Sequence, residues 1–386
     1  MEQFEVHAVI EKIMATIQKE YQELETLNVM ILGKTGVGKS TLINNMFNQD
    51  LAETGIGKPV TQRIRKITKP GFPLAIYDTP GLELGGENGI NVLLEEVIDE
   101  IDRGICSGKV SNAIHCIWYC ISTPSHRFEQ AEIDFLKEFL GKTSKYNVPV
   151  IVVLTQSYSK SDAKLLMREI EKENLPIVNV VSVLAEDYCI DEEFTVKAYG
   201  LDTLSEIVNY VVPAAVQKTF IAVQKVNLEL KNIKAQKIIS TSAAAAGALG
   251  CAPIPISDIA LLFSEQILML GAITALYGVQ IEKGTIMLIL GSFMGAAGIT
   301  LTGQTVVASL LKLIPGIGAV AGGAVSGAAS ATLIIVIGQA YTTVMSMLCK
   351  GQLSLEDLKT DRGKKEMRKI FKDKLRETLD AHNEPE

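Results

Sequence analysis

The chain has 386 residues, with 37 basic and 44 acidic side chains and a formal net charge of −7. Its 47% apolar content is enough for the cores of two or three domains, which excludes a disordered chain. The acidic balance argues against nucleic-acid binding through net charge, and six cysteines without a CxxC pair or a Cys/His cluster indicate neither a disulfide framework nor a zinc site.

The first 27 residues are predicted to form a helix. Apolar side chains recur there at spacings of three and four residues, as in a helix that packs one face on a core. They are Val6, Ile10, Ile13, Ile17, Leu24 and Leu27. The acidic start lacks an apolar run, so no cleaved signal peptide is expected. A second helix is predicted over residues 213–238, and the two helices could pair as a stalk.

A short apolar run, residues 28–32, is predicted to be a buried strand that leads directly into a phosphate-binding motif. The motif is Gly33-Lys-Thr-Gly-Val-Gly-Lys-Ser40, which matches GxxxxGK[ST]. Its glycines let backbone N–H groups turn toward phosphates, Lys39 supplies positive charge to the β- and γ-phosphates, and the Ser40 hydroxyl is a ligand for Mg²⁺. The predicted nucleotide-binding residues of this segment are Gly33, Lys34, Thr35, Gly36, Val37, Gly38, Lys39, Ser40 and Thr41.

Two further segments follow in the order expected of a nucleotide switch. A predicted strand over residues 73–77 ends in Asp78-Thr-Pro-Gly81, where Asp78 would hold Mg²⁺ and the Gly81 N–H would sense a γ-phosphate. Thr61 lies 21 residues after Ser40, and its hydroxyl could close on Mg²⁺ only while a γ-phosphate is present. The predicted catalytic residues are Lys39, Thr61 and Gly81. The predicted metal ligands are Ser40, Thr61 and Asp78.

These motifs resemble those of the septin-like branch of the translation-factor-type (TRAFAC) P-loop GTPases and those of immunity-related GTPases. The resemblance rests on residues 33–41, Ile43-Asn44, Val60-Thr61, residues 78–81 and a fourth-strand segment, His115–Ser122. It implies a doubly wound α/β GTPase domain that binds GTP and GDP with Mg²⁺ as cofactor. It also implies a homodimer formed through the GTPase domains.

The segment expected to recognise the base departs from the family pattern. After a predicted strand over residues 148–154, the resemblance implies N/TKxD, whereas the chain has Thr155-Gln-Ser-Tyr158. The lysine is replaced by Gln156, and the aspartate that reads guanine is absent from its place. Guanine preference is therefore implied by the family alone. Thr155 and Gln156 are predicted to line the nucleotide site, and Asp162 either replaces the missing aspartate or is a surface residue.

A sixth strand is predicted over residues 177–181, and the loop that follows it resembles the second base-contacting loop of the family. The loop sequence is Ser182-Val-Leu-Ala185. The backbone amide of Ala185 is predicted to contact the base.

Leu82 follows the Asp-x-x-Gly motif, where some relatives carry a glutamine that orients the attacking water. An aliphatic side chain cannot orient a nucleophile, so we predict slow hydrolysis, with a turnover on the order of minutes or longer. The resemblance implies that assistance is supplied in trans. Arg63, Arg65 and Glu83 are either candidates for this role or solvated surface residues.

Residues 239–349 form a second, strongly apolar region. Two uncharged windows, residues 284–311 and 313–349, are each long enough to span a bilayer. Glycines four residues apart would let helices approach closely in lipid, although a soluble helical bundle is the alternative. Such pairs are Gly291/Gly295, Gly318/Gly322 and Gly323/Gly327.

The same region resembles DUF697, a hydrophobic helical domain of unknown function that is fused to such GTPases in bacteria. The residues that carry this resemblance are Pro253–Asp258 and Ala275–Gly278. Beyond it, the tail over residues 350–386 is basic and has apolar residues at helical spacing. The tail could lie on an anionic cytoplasmic leaflet or be a solvated terminal helix. If the GTPase domain and the tail are both cytoplasmic, the chain must cross the bilayer an even number of times, and two or four crossings fit the available length.

The sequence thus predicts an α/β GTPase domain followed by an all-helical apolar domain. The predicted segments are an N-terminal helix (1–27), the GTPase domain (28–212), a connecting helix (213–238), the apolar and possibly transmembrane domain (239–349) and the tail (350–386). The predicted function is a membrane-associated switch with a cytoplasmic GTPase domain, in which the nucleotide controls assembly or contact with a lipid or protein partner. The alternatives are a pore gated by the GTPase domain and a soluble signalling GTPase whose helical domain binds a protein.

Overall fold

The computed structural model describes residues 2–47, 64–81, 86–191, 193–249, 259–279, 281–296 and 327–383. The chain forms two compact units. The α/β unit comprises Leu24–Asn227, and the helical unit combines Met1–Glu23 with Leu228–Glu386. These boundaries differ from the predicted ones, because the first helix belongs to the helical unit and the α/β unit continues past residue 212.

The α/β unit alternates strands and helices along most of its length. Its strands are β1 (Leu27–Gly33), β2 (Arg65–Lys69), β3 (Phe72–Asp78), β4 (Cys116–Ser122), β5 (Val150–Thr155), β6 (Asn179–Ser182), β7 (Tyr188–Cys189) and β8 (Thr195–Val196). Its helices, numbered in chain order over both units, are α2 (Lys39–Met46), α3 (Gly86–Cys106), α4 (Gln130–Thr143), α5 (Lys160–Lys172), α6 (Leu201–Val211) and α7 (Ala214–Val223).

Six strands form one sheet in the order β2-β3-β1-β4-β5-β6, and β7 and β8 form a separate hairpin. Strand β2 is antiparallel to β3, whereas the other neighbours are parallel. Every residue of β1 is buried, because both faces of the sheet are covered. Val29 and Ile31 share a core with α2, α6 and α7, while Met30 and Leu32 share one with α3, α4 and α5. The predicted doubly wound α/β fold is confirmed.

The predicted helix over residues 213–238 is in fact two helices. Helix α7 ends at Val223, and α8 (Leu228–Leu249) begins after a break of four residues. The buried side chain of Gln224 stabilises this break, because its Oε1 accepts hydrogen bonds of 2.8 Å from the backbone N–H groups of Val226 and Asn227. A side chain that satisfies these N–H groups removes the reason for the helix to continue.

The helical unit contains six described helices. Besides α8 they are α1 (Glu2–Gln22), α9 (Ile259–Tyr277), α10 (Lys283–Ala296), α11 (Gly327–Cys349) and α12 (Asp361–Asn383). Helix α11 packs on α8, α9 and α12, whereas α1 packs mainly on α9. The predicted stalk between the first helix and residues 213–238 is therefore wrong. The predicted first helix also ends earlier, at Gln22, and Leu27 begins β1.

Glycines permit close helix packing in this unit, but at other positions than those predicted. A Cβ on Gly271 would lie 2.6 Å from Thr16 Cγ2, and one on Gly338 would lie 2.6 Å from Ile239 Cγ1. A Cβ on Gly291 would have no described atom within 4 Å. Gly318, Gly322 and Gly323 lie outside the described residues. Small residues thus bring α9 against α1 and α11 against α8.

The basic tail packs its apolar face inside the helical unit. On α12, Met367, Ile370 and Phe371 are buried in the core, and the Phe371 ring stacks on Phe293 with centroids 5.3 Å apart. Basic side chains such as Arg368 and Lys369 lie on the opposite, exposed face. The apolar face of α12 is thus covered by protein, while its positive charges remain accessible to solvent.

A buried lysine links the start of α8 to the end of α9. Lys231 has no solvent exposure, and its Nζ donates hydrogen bonds of 3.0 Å to the carbonyl oxygens of Leu276 and Tyr277. These carbonyls lie in the last turn of α9, where the helix dipole favours positive charge. Burial nevertheless lowers the pKa of Lys231 to about 7.

We expect the stability of the helical unit to rise between pH 7 and pH 9. The unfolded lysine keeps its proton until about pH 10.5, whereas the folded lysine releases it near pH 7, so the unfolded state binds more protons across this window. The gain should be about 2 kcal/mol in the free energy of unfolding, measured by urea titration followed by circular dichroism. Lys231→Met should flatten the dependence, while Lys234→Met, an exposed control on the same helix, should keep it. A wild-type profile as flat as that of Lys231→Met would contradict the prediction.

Candidate nucleotide-binding site

The carboxyl ends of four parallel strands meet at one edge of the large sheet. In the β1–β3 register Ile31 lies opposite Asp78, and in the β1–β4 register Gly33 lies opposite Cys120. Thr155 ends β5 opposite Ser122 of β4. In open α/β sheets this edge is where ligands bind. The predicted phosphate, magnesium and base-binding segments therefore converge.

The phosphate loop requires glycine at its first position. Gly33 has φ of 141°, and a Cβ there would lie 2.4 Å from the backbone oxygen of Cys120. Gly38 has φ of 89° and immediately precedes α2, which begins at Lys39. Backbone N–H groups at a helix N-terminus, together with the helix dipole, attract anions. The loop thus has the backbone geometry that a phosphate site needs.

Lys39 is folded back over this loop. Its Nζ donates to the carbonyl oxygens of Gly33 at 2.9 Å and of Lys34 at 3.0 Å. These contacts place the ammonium group directly above the loop backbone, where a charge can act on a bound phosphate. The predicted role of Lys39 is compatible with this position.

Lys34 points to α4, a contact that the sequence did not reveal. Its Nζ lies 2.8 Å from Glu129 Oε2 and 3.2 Å from Glu132 Oε2. Burial raises the pKa of Glu132, whereas the hydrogen bond from Lys34 lowers the pKa of the exposed Glu129. Glu129 also caps α4. Any nucleotide contact of Lys34 is therefore assigned to its backbone N–H, while its side chain ties the loop to α4.

The residues predicted to hold Mg²⁺ supply suitable donors where the structure describes them. Ser40 lies in the first turn of α2 and offers a hydroxyl oxygen, and Asp78 ends β3 and offers a carboxylate. Oxygen ligands of this kind are those that Mg²⁺ prefers, so the donor set fits the ion. Thr79 Oγ1 donates a hydrogen bond of 2.9 Å to Ile31 O, which fixes the position of the backbone just after Asp78.

Of the two predicted switch residues, the structure describes Gly81 but not Thr61. Gly81 is buried and lies three residues after the end of β3. Thr61 lies outside the described residues, as do Arg63, Leu82 and Glu83. Arg65 is exposed at the start of β2.

Thr155, Gln156 and Ala185, the residues predicted to lie near the base, line one open cavity. Thr155 Oγ1 lies 2.5 Å from Val37 O, which joins the end of β5 to the phosphate loop. Gln156 Nε2 donates a hydrogen bond of 3.1 Å to Gly36 O, and Gln156 Oε1 accepts a hydrogen bond of 2.7 Å from Ser122 Oγ. Ala185 also contributes to the cavity lining. The cavity lining is Gly38, Thr41, Leu42, Thr155, Gln156, Tyr158, Val183, Leu184, Ala185, Glu186 and Tyr188.

Tyr158, Glu186 and Tyr188 are cavity residues that sequence reasoning missed. Tyr158 occupies the place of the absent aspartate, while the other two enter with the hairpin after β6. The two tyrosine rings have centroids 4.0 Å apart. Asp162 lies in a different cavity, together with His126 and Glu169. The structure therefore separates Asp162 from the residues predicted to contact the base.

Two family models match the chain. Residues 28–156 match the model described as 50S ribosome-binding GTPase, and residues 216–378 match the domain of unknown function DUF697. The first part is accordingly similar to P-loop GTPase domains, and the second part is similar to DUF697 domains.

Curated relatives match slightly less than half of the chain. Septin-1 of Drosophila melanogaster is 25% identical over 46% of this chain and 58% of the septin. Cell division control protein 11 of Saccharomyces cerevisiae is 26% identical over 45% of this chain and 48% of that protein. The chain thus spans about half the length of these relatives.

A similar solved structure is Toc33 from Arabidopsis thaliana in complex with GDP and Mg²⁺. It is 19% identical, has a TM-score of 0.32, and is matched over 55% of this chain and 92% of Toc33. At this similarity the domain assignment rests on the family models and on the sheet described above.

We expect Gly33→Ala to destabilise the α/β unit far more than Gly36→Ala. Both glycines have positive φ, but a Cβ on Gly36 has no described atom within 4 Å, whereas one on Gly33 collides with β4. Gly36→Ala should cost about 1–2 kcal/mol and Gly33→Ala about 3 kcal/mol or more. Urea unfolding followed by the fluorescence of Trp118, the single tryptophan, measures both. Equal losses would show that the close approach to Cys120 is unimportant.

Proposed function

We propose that this protein, in which a P-loop GTPase domain precedes a DUF697 domain, is a GTP-binding switch that hydrolyses GTP slowly. The proposal rests on the loop at the end of β1, where the position of Gly33 has no room for a side chain. Lys39 Nζ lies against this loop, and Asp78 lies on the neighbouring strand β3. Loop N–H groups bind the phosphates, and Lys39 neutralises charge on the β- and γ-phosphates. Mg²⁺, held by Ser40, Asp78 and Thr61, would supply further neutralisation of phosphate charge when bound.

The switch acts through two segments, one before β2 that contains Thr61 and one after β3 that contains Gly81. Gly81 senses the γ-phosphate through its backbone N–H, and Thr61 releases when that phosphate is lost. Leu82 provides no group to orient water, so hydrolysis in the isolated chain is slow. A second copy, pairing through the GTPase domain, supplies the missing assistance. The septin relatives support assembly of this kind only as an analogy.

The DUF697 domain is proposed to associate with a membrane from the cytoplasmic side. Among the described residues, one helical segment, Ala331–Cys349, is long and apolar enough to cross a bilayer. The exposed basic face of α12 adds a surface that is complementary to anionic lipid. Nucleotide state then controls assembly or contact with lipid or a partner.

A second candidate is a soluble switch whose helical domain binds a protein. The observation that favours it is burial, since 61% of the Ala331–Cys349 segment is already covered within the structure. Core helices of soluble proteins share this property. The apolar face of α12 is likewise covered.

Lys39→Ala should reduce the affinity for fluorescent GTP or GDP analogues in the presence of Mg²⁺ by at least tenfold, because the charge above the loop is lost. The matched control is Lys34→Ala, which removes a neighbouring ammonium group that pairs with Glu129 and Glu132 but leaves the backbone N–H. It should keep the affinity within a few-fold of wild type. Absence of magnesium-dependent binding in the wild type, or full binding by Lys39→Ala, would refute the proposed function.

Full-length protein should float with phosphatidylglycerol-containing liposomes on a density gradient. Flotation with both GDP and a non-hydrolysable GTP analogue indicates an integral domain, and flotation with the GTP analogue alone indicates a nucleotide-controlled one. Lys39→Ala is the control for nucleotide dependence. Flotation in neither state would favour the soluble candidate, and ion flux through loaded liposomes would identify a gated pore.

A further inference from the structure

We propose that Glu186 reads the base of the bound nucleotide by accepting hydrogen bonds from the N1–H and N2–H groups of guanine. This inference rests on the proposed nucleotide-binding function and adds a specificity-determining residue to it. A carboxylate has two acceptor oxygens, which match these two donors. Adenine presents an acceptor at N1 and therefore cannot satisfy the same pair. The sequence motif that would normally supply the carboxylate has Tyr158 in its place.

The cavity beside the phosphate loop contains one carboxylate among its described lining residues, that of Glu186. The cavity is continuous with the loop, since Gly38 and Thr41 contribute to its lining. A base attached to a nucleotide whose phosphates lie on residues 33–41 can therefore reach it. Glu186 is exposed and forms no hydrogen bond or ion pair with the described part of the chain.

The residue next to Glu186 is already committed to a structural role. Asp187 Oδ2 pairs with Lys197 Nζ at 2.7 Å, and Asp187 Oδ1 accepts 2.8 Å from the N–H of Ala198. These bonds close the β7–β8 hairpin at its base. The bonds fix the position of the segment that carries Glu186 and leave the Glu186 carboxylate available for a ligand.

Hydrogen bonds also hold the residues on both sides of the β7–β8 hairpin against the loop after β5. Leu184 and Tyr199 exchange two hydrogen bonds of 3.0 Å, and Ser157 N–H donates 3.2 Å to Val183 O. Tyr199 Oη donates a further 2.9 Å to Ser157 O. The hairpin is thus anchored to the loop after β5, which contributes Gln156 and Tyr158 to the cavity lining.

Gln156, Tyr158 and Tyr188 also line the cavity, but they are less suited than Glu186 to bind the hydrogen-bonding edge of a base. Both ends of the Gln156 amide already have partners, Gly36 and Ser122. Tyr158 and Tyr188 provide flat aromatic surfaces on which a base can stack. Burial raises the pKa of Tyr158, and the charge of Glu186 adds to this effect, which places the carboxylate in electrostatic reach of the aromatic wall.

Replacement of Glu186 by glutamine provides a test with a gain of binding as well as a loss. The amide oxygen can accept from N1–H, but the amide N–H₂ opposes the N2–H₂ of guanine. Xanthine carries an oxygen at C2 and fits the amide instead. Glu186→Gln should therefore lose tenfold to hundredfold in affinity for GDP and gain at least tenfold for xanthosine diphosphate. Misfolding cannot produce the gain.

The binding of GDP, ADP and xanthosine diphosphate to full-length protein is measured by calorimetry with Mg²⁺ present. Asp162→Asn is the matched control, because Asp162 is the alternative carboxylate after β5 but lies in the other cavity. It should keep the wild-type preference for GDP. The inference is overturned if Glu186→Gln keeps that preference, if Asp162→Asn loses it, or if the wild type binds ADP as tightly as GDP. Absence of all nucleotide binding would instead remove the proposed function itself.

Discussion

The nucleotide site depends on the direct contact between the ends of β1 and β4. At Gly33 the first residue of the phosphate loop meets the backbone oxygen of Cys120 so closely that no side chain fits. This contact sets the direction in which the chain leaves the sheet and enters α2. The parallel register on the other side of β1 places Asp78 beside the same loop. Residues from three strands thereby share one site without any of them being near in sequence.

Local patterns were sufficient to predict the phosphate loop and the strands around it. The spacing of glycines, the apolar runs and the polar residues after them each predict the local backbone conformation from only a few neighbouring residues. The ion pair between Lys34 and Glu129 could not be predicted in this way, because it joins residues 95 positions apart. The position of Glu186 was missed for a similar reason. It depends on a hairpin held by Asp187, and isolated turn residues do not reveal which wall of a cavity they will form.

Helix boundaries were predicted less well where side chains decide them. Residues 213–238 have continuous helical spacing, yet the amide of Gln224 divides them into α7 and α8. In the helical unit, composition alone cannot distinguish burial in protein from burial in lipid, since both environments accept the same apolar residues. The structure shows which faces already have protein partners. It also shows that close packing uses Gly271 and Gly338 rather than the predicted Gly291.

The assignment of α1 to the helical unit has a consequence for biosynthesis. Because Met1–Glu23 and Leu228–Glu386 form one unit, the whole α/β unit lies between its two parts in the chain. Helix α1 leaves the ribosome before the α/β unit but meets α9 only after more than 200 further residues have been made. Its apolar stripe stays without its native partner throughout that interval. Nascent chains of this protein therefore present a target for chaperones, or for a premature membrane encounter, while the α/β unit is being made.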